Sequence, residues 1–155
     1  MIYTMQKEQK RKGHLHPLTH VIRDIEMIFA ELGFSYTDGP ELETEHYNFD
    51  ALNMPSDHSS RDMQDTFWVK QKNEKGERLL LRTQASGIQI HAMEKLQPPL
   101  RVVITGARVF RNEATDATHE AQFYHQEALY VDKNVNLAQL KGMLSHFCKR
   151  FFGER

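Results

Sequence analysis

The longest regular pattern in the chain opens at Pro17. Leu18, Val21, Ile22, Ile25, Ile28, Phe29 and Leu32 recur at steps of three and four, while Arg23, Asp24 and Glu31 fall elsewhere on the cylinder. That is the stripe of a helix lying on a core. Pro17 suits its first turn, where a missing N–H costs no hydrogen bond, and Gly33 supplies the stop. A second stripe, Leu137, Leu140, Leu144, Phe147, Cys148 and Phe151, predicts a closing amphipathic helix with Cys148 buried on its apolar side as an inert thiol. Spacing through Ile88, Ala92, Met93 and Leu96 predicts a helix over Ser86–Leu96, ended by Pro98-Pro99.

Between these stripes the apolar positions shorten into runs and alternations. Phe34–Thr37, Leu100–Thr105, Arg108–Asn112 and Gln122–Val131 read as strands, and Asp38-Gly39-Pro40 as a turn. Thr66–Gln71 and Arg78–Arg82 flank Asn73-Glu74-Lys75-Gly76, a hairpin signal. Leu42–Tyr47 is mixed, and Asn53–Arg61 is a polar loop. Glu41, Glu43 and Glu45 alternate, which places them together on one water-facing side of a strand. The sum predicts an α+β fold, an antiparallel sheet flanked by helices.

Composition narrows the class. A chain of 155 residues is one domain or a large piece of one, and at that size a fold buries about 70% of its unfolded surface without a staple. Twenty Lys and Arg against 21 Asp and Glu leave a net charge of −1, which argues against a basic nucleic-acid coat. Lys7, Lys10, Arg11 and Lys12 form a local exception, so residues 1–12 read as a basic tail or the remnant of a helix, and 13–155 as the body. A single cysteine excludes a disulfide framework and a multi-cysteine zinc site. His14, His16 and His20 lack a neighbouring carboxylate or thiolate and make a poor metal site. No apolar run approaches the roughly 20 residues of a membrane span, and Met1–Lys12 has no signal-peptide core. A cytoplasmic, soluble domain is expected.

Chemistry concentrates late in the chain. If the strands ending near Asn112 and starting near Gln122 pair, Arg111 and Glu113 share a face with Phe123, His125 and Glu127. Such a face either holds a nucleotide, with the guanidinium on a phosphate and the ring on a base, or is an ion-paired solvent surface. His119 sits in the polar loop between them, within reach of a phosphate or of water. No Gly-x-x-x-x-Gly-Lys-Ser/Thr loop, Gly-x-Gly-x-x-Gly turn or Gly-x-Ser-x-Gly elbow occurs.

An ordered series of segments carries a resemblance: Gly13-His14-Leu15-His16-Pro17-Leu18-Thr19, Gly39-Pro40-Glu41-Leu42-Glu43-Thr44, Tyr47-Asn48-Phe49-Asp50-Ala51-Leu52-Asn53, Arg61-Asp62-Met63-Gln64-Asp65-Thr66-Phe67-Trp68, Leu80-Leu81-Arg82-Thr83, Arg111-Asn112-Glu113 with Thr118-His119, Val131-Asp132-Lys133-Asn134 and Leu140-Lys141-Gly142. The chain resembles, from about Gly13 onward, the front of the catalytic module of bacterial phenylalanyl-tRNA synthetase alpha subunits, a family of class II aminoacyl-tRNA synthetases. The resemblance implies motif 1 in the first helix and the Gly39-Pro40 region, and motif 2 around Arg111. It implies ATP and Mg2+ as cofactors, and phenylalanine and tRNA(Phe) as substrates. As partners it implies a phenylalanyl-tRNA synthetase beta subunit and homo- or hetero-oligomers formed through motif 1.

The reaction so implied makes an aminoacyl-adenylate and passes the amino acid to tRNA. By the same resemblance Arg111 contacts the α-phosphate, His119 the outer phosphates, Phe123 the adenine, and Glu113 the edge between adenine and amino acid. Gln84, Ser86, Gln89, His125 and Glu127 match the amino-acid-binding positions. Two of these depart from the family pattern: Gln84 stands where a histidine is usual, and His125 where a glutamine is usual. Ser59-Ser60 also replaces the usual Pro-Ala. The nucleotide half is kept and the amino-acid half altered, and a mispaired buried polar group costs about 1–3 kcal/mol. The family's motif 3 has no counterpart in these residues, so the chain alone is expected to be inactive, with an unpaired sheet edge and exposed apolar surface. A non-catalytic paralogue that binds a nucleotide or amino acid, or a structural association module, are the alternatives.

Overall fold

The stripe beginning at Pro17 forms helix α1 (Pro17–Glu31) in the computed structural model, which describes residues 13–61 and 66–153. The expected basic tail, residues 1–12, lies outside the described residues. The His16 imidazole caps α1 by accepting from the Leu18 N–H at 3.2 Å. At the other end Gly33, with φ +78°, donates its N–H to the Ala30 carbonyl, a left-handed exit that glycine makes without strain. Two short strands follow, β1 (Ser35–Tyr36) and β2 (Leu42–Thr44), then a single helical turn, α2 (Glu45–Asn48). The expected hairpin is β3 (Trp68–Lys72) with β4 (Arg78–Leu81). Helix α3 (Ser86–Lys95), the long strands β5 (Leu100–Phe110) and β6 (Gln122–Val131), and helix α4 (Leu137–Phe152) complete the chain.

The strands form two three-stranded sheets, ordered β1-β5-β6 and β2-β4-β3. All pairs are antiparallel except β1–β5, which run parallel; a parallel neighbour needs a long crossover, here everything from β2 to α3. Residues 100–105 and 108–110 belong to one strand, not two. Its register with β6 shifts between Ile104 and Ala107, where Gly106 takes φ +63°. β5 ends at Phe110, so Arg111–Glu113 leave the strand and enter the loop 111–121.

Both faces of β5 are covered. Val103 packs with Ile25, Phe29 and Phe34 under α1, joined by Tyr130 and by Met143, Phe147 and Phe151 of α4. Ile104, Ala107 and Val109 pack with Ala85 and Ile88 of the α3 region and with Phe123. α4 therefore docks through positions four apart. Cys148, one residue past Phe147 and so about 100° around the helix, is exposed rather than buried. Leu137, Leu140 and Leu144 are also exposed, along an apolar groove beside the outer strand β6.

The expected water-facing row of glutamates does not form, because the strand turns into α2 at Glu45 and the Glu43 side chain reaches His91 on α3. Glu43 is only 3% exposed and meets His91 Nε2 at 2.8 Å. Glu41 pairs with Arg108 and Glu45 with Arg61. The two sheets are joined by Arg82, also 3% exposed. Its Nε donates to the Arg108 carbonyl at 2.7 Å, and one terminal nitrogen donates to the Gly39 and Pro40 carbonyls at 2.9 and 3.2 Å. Among the described residues no helix is long and apolar enough to cross a membrane.

Candidate functional site

Alternation along β6 turns Phe123, His125 and Glu127 to the half-buried side. Opposite them on β5 stand Val109, Ala107 and Ile104. The Arg111 N–H donates to the Ala121 carbonyl at 2.9 Å, extending the β5–β6 ladder past the end of the strand. Arg111 is thus carried to the Phe123 side, with its guanidinium carbon 5.0 Å from the ring centroid. Its Nε also lies 3.5 Å from the Thr83 carbonyl.

The row continues away from Arg111. The Phe123 and His125 rings meet edge to face at 5.3 Å. His125 Nδ1 lies 3.4 Å from the Ala85 N–H and 3.5 Å from Glu127 Oε1. Ser86 Oγ donates to Glu127 Oε1 at 3.0 Å, and Gln89 Nε2 to Oε2 at 2.5 Å. Burial pushes the Glu127 carboxyl up, but hydrogen bonds from His125, Gln89 and Ser86 outweigh it and hold the group below the usual glutamate range. One sheet face thus presents a cation at one end, a fixed carboxylate at the other and an aromatic plate between, in reach of α3's N-terminal end with its partial positive charge.

Of the residues singled out from sequence, this face gathers Arg111, Phe123, His125, Glu127, Ser86 and Gln89. Gln84 directs its amide elsewhere, to the Asn48 carbonyl at 3.1 Å and Met54 Sδ at 3.7 Å. Glu113 and His119 lie exposed in the loop 111–121 and not on a strand. There Asp116 ties the turn, its carboxylate accepting from the N–H groups of Thr118 and His119 and from the Thr118 hydroxyl, with the His119 ring at 2.9 Å. The Thr118 N–H, the His119 side chain and the Thr118 hydroxyl lower its pKa to about 2. Sequence reasoning assigned no role to Asn48, Thr83 or Arg82, whose hydrogen bonds hold the segment leading into α3. Their partners lie far away along the chain, 35 residues for Asn48–Thr83 and 43 for Arg82–Gly39, beyond any local periodicity. Among the described residues no group of three or more His, Cys, Asp or Glu could hold a metal ion.

Residues 3–155 match the family model described as tRNA synthetases class II core domain (F). The chain is 50% identical over 143 residues to the phenylalanine–tRNA ligase alpha subunit of Dehalococcoides mccartyi, covering 91% of this chain and 41% of that one. It is 52% identical over 145 residues to the alpha subunit of that name from Shouchella clausii, covering 92% and 40%. The chain thus spans about two-fifths of the length of the curated relatives it matches. In fold it is similar to the crystal structure of pyrrolysyl-tRNA synthetase from Desulfitobacterium hafniense, with a TM-score of 0.66 at 15% identity over 86% of this chain and 47% of that one.

Proposed function

This chain belongs to the class II tRNA synthetase core family, and on that premise we propose that it supplies the ATP- and amino-acid-binding face of a phenylalanine–tRNA ligase alpha subunit. The observation that carries the reading is the single row from Arg111 through Phe123 and His125 to Glu127. In this reading the α-ammonium of phenylalanine docks on Glu127, whose two oxygens are already aimed by Ser86 and Gln89. The adenine lies against Phe123, and Arg111 meets the α-phosphate.

No protein nucleophile is required. An oxygen of the substrate carboxylate attacks the α-phosphorus, the bond to the bridging oxygen of pyrophosphate breaks, and negative charge builds on the α-phosphate and the leaving group. A fixed guanidinium stabilises that charge more than it stabilises the ground state. Holding the two substrates on one rigid face supplies the remaining advantage by removing a bimolecular encounter. Magnesium, when present, offsets phosphate charge. His119, tethered to Asp116, stands in the loop next to the phosphate end. The aminoacyl group then moves to tRNA, and a beta subunit is the partner that the alpha-subunit relatives' names imply.

Thermal unfolding with and without magnesium–ATP tests the nucleotide end. A ligand at 100 times its Kd stabilises by about 2.7 kcal/mol, several degrees of Tm at this size. That rise is expected in the wild type and lost in Arg111→Ala; an equal rise in both would overturn the assignment. Phenylalanine-dependent ATP–pyrophosphate exchange separates turnover from binding alone.

A further inference from the structure

We infer that Asn48 is a positioning residue for Arg111, acting through Thr83; the inference rests on the reading of Arg111 as a phosphate contact. Asn48 closes α2 and is 1% exposed. Both ends of its side-chain amide engage one residue: Nδ2 donates to Thr83 Oγ1 at 3.0 Å, and Oδ1 accepts from the Thr83 N–H at 3.1 Å. Its main-chain carbonyl accepts from Gln84 Nε2, so these three bonds reach residues 83 and 84.

The peptide joining Arg82 to Thr83 is thereby held from two sides. Its N–H is fixed by Asn48, and its carbonyl accepts from the Phe110 N–H at 2.9 Å, at the last residue of β5. With that plane fixed, the next carbonyl, that of Thr83, faces Arg111 Nε. Two residues later α3 begins at Ser86, which reaches Glu127. A planar amide that donates and accepts at once sets the rotation of this peptide as neither a carboxylate nor an alkyl group can. Asn48 touches no substrate in this arrangement. It determines where the guanidinium points.

A merely structural asparagine would weaken the fold without caring which side chain stands at 111. The test is therefore a double-mutant cycle on magnesium–ATP affinity, measured by calorimetry at a temperature where far-UV circular dichroism shows each variant folded. Asn48→Leu is expected to weaken ATP binding about tenfold when Arg111 is present, the size of one lost hydrogen bond. In an Arg111→Lys background, which lacks the Nε–H facing Thr83, the same substitution is expected to change affinity less than twofold, the mark of coupled sites. An equal factor in both backgrounds, or no change in either, overturns the inference. Should Asn48→Leu fail to fold, Thr83→Val removes only the hydroxyl acceptor and is expected to give a smaller loss that again vanishes with Lys at 111; a loss that persists there overturns it. Failure of the wild type to bind ATP at any concentration would instead overturn the reading of Arg111 itself.

Discussion

Glu127 carries a charge whose worth to the fold depends on pH. Its folded carboxyl is more acidic than the ordinary value of 4.5, so the ionised form contributes stability at every pH above the unfolded value and loses that contribution as pH falls through the folded one. Glu127→Gln is expected to lower Tm at pH 7, with the gap to wild type narrowing only in acid, below the usual glutamate range. A gap of constant size down into that acid range would show that the charge contributes nothing. At this scale the sequence was partly legible. Period-two alternation sufficed to bring Phe123, His125 and Glu127 to one side, because a strand leaves no other choice. It misplaced Glu113, since nothing in the residue pattern says that β5 stops at Phe110. The resemblance, not the alternation, grouped Gln84 with the Glu127 set; in the structure its side-chain amide donates to the main-chain carbonyl of Asn48, 36 residues upstream.

Among the elements, those with long periodicity were readable and those set by tertiary contact were not. Fifteen residues of α1 repeat the apolar stripe four times over, and no shorter signal competes with it. β1 has two residues, and its parallel pairing with β5 follows from where α1 delivers it, not from its composition. β5 reads as two strands because Gly106 and Thr105 break its apolar run; in the fold that break is an irregularity within one strand. Gly106 is needed there on two counts. Its φ of +63° is strained for any side chain, and an added Cβ would come within 2.8 Å of Ile22 Cδ1 on α1. Gly106→Ala is therefore expected to destabilise by about 1–2 kcal/mol, seen as a lower urea midpoint with an unchanged slope. A neutral result would mean that the irregularity relaxes at no cost.

For the molecule as a whole, the decisive contact is one buried side chain between two sheets. Arg82 spends its Nε on β5 and a terminal nitrogen on the turn before β2, while its own backbone N–H and carbonyl bond to Glu41 and Phe110. Arg82→Met keeps the stem but leaves three carbonyls without their donor, and is expected to cost about 3 kcal/mol. Arg82→Lys should rescue little, because an ammonium cannot serve two directions as a planar fork can. A loss under about 1 kcal/mol in the methionine variant, by urea denaturation, would show that the sheets hold together without it. The antiparallel α+β plan was legible at this scale from the order of stripes and runs. The division into two sheets was not, since it depends on contacts such as these, made across 26 and 43 residues.

The chain has one cysteine and one tryptophan, and they fall on opposite sides of that seam: Cys148 outward on α4, which packs against the β1-β5-β6 sheet, and Trp68 in the β2-β4-β3 sheet. A thiol-reactive energy acceptor would attach at Cys148 alone and draw on a single indole emitter. The natural sequence thus already contains an optical ruler between its two halves, able to report by fluorescence whether ligands bring them closer or let them part.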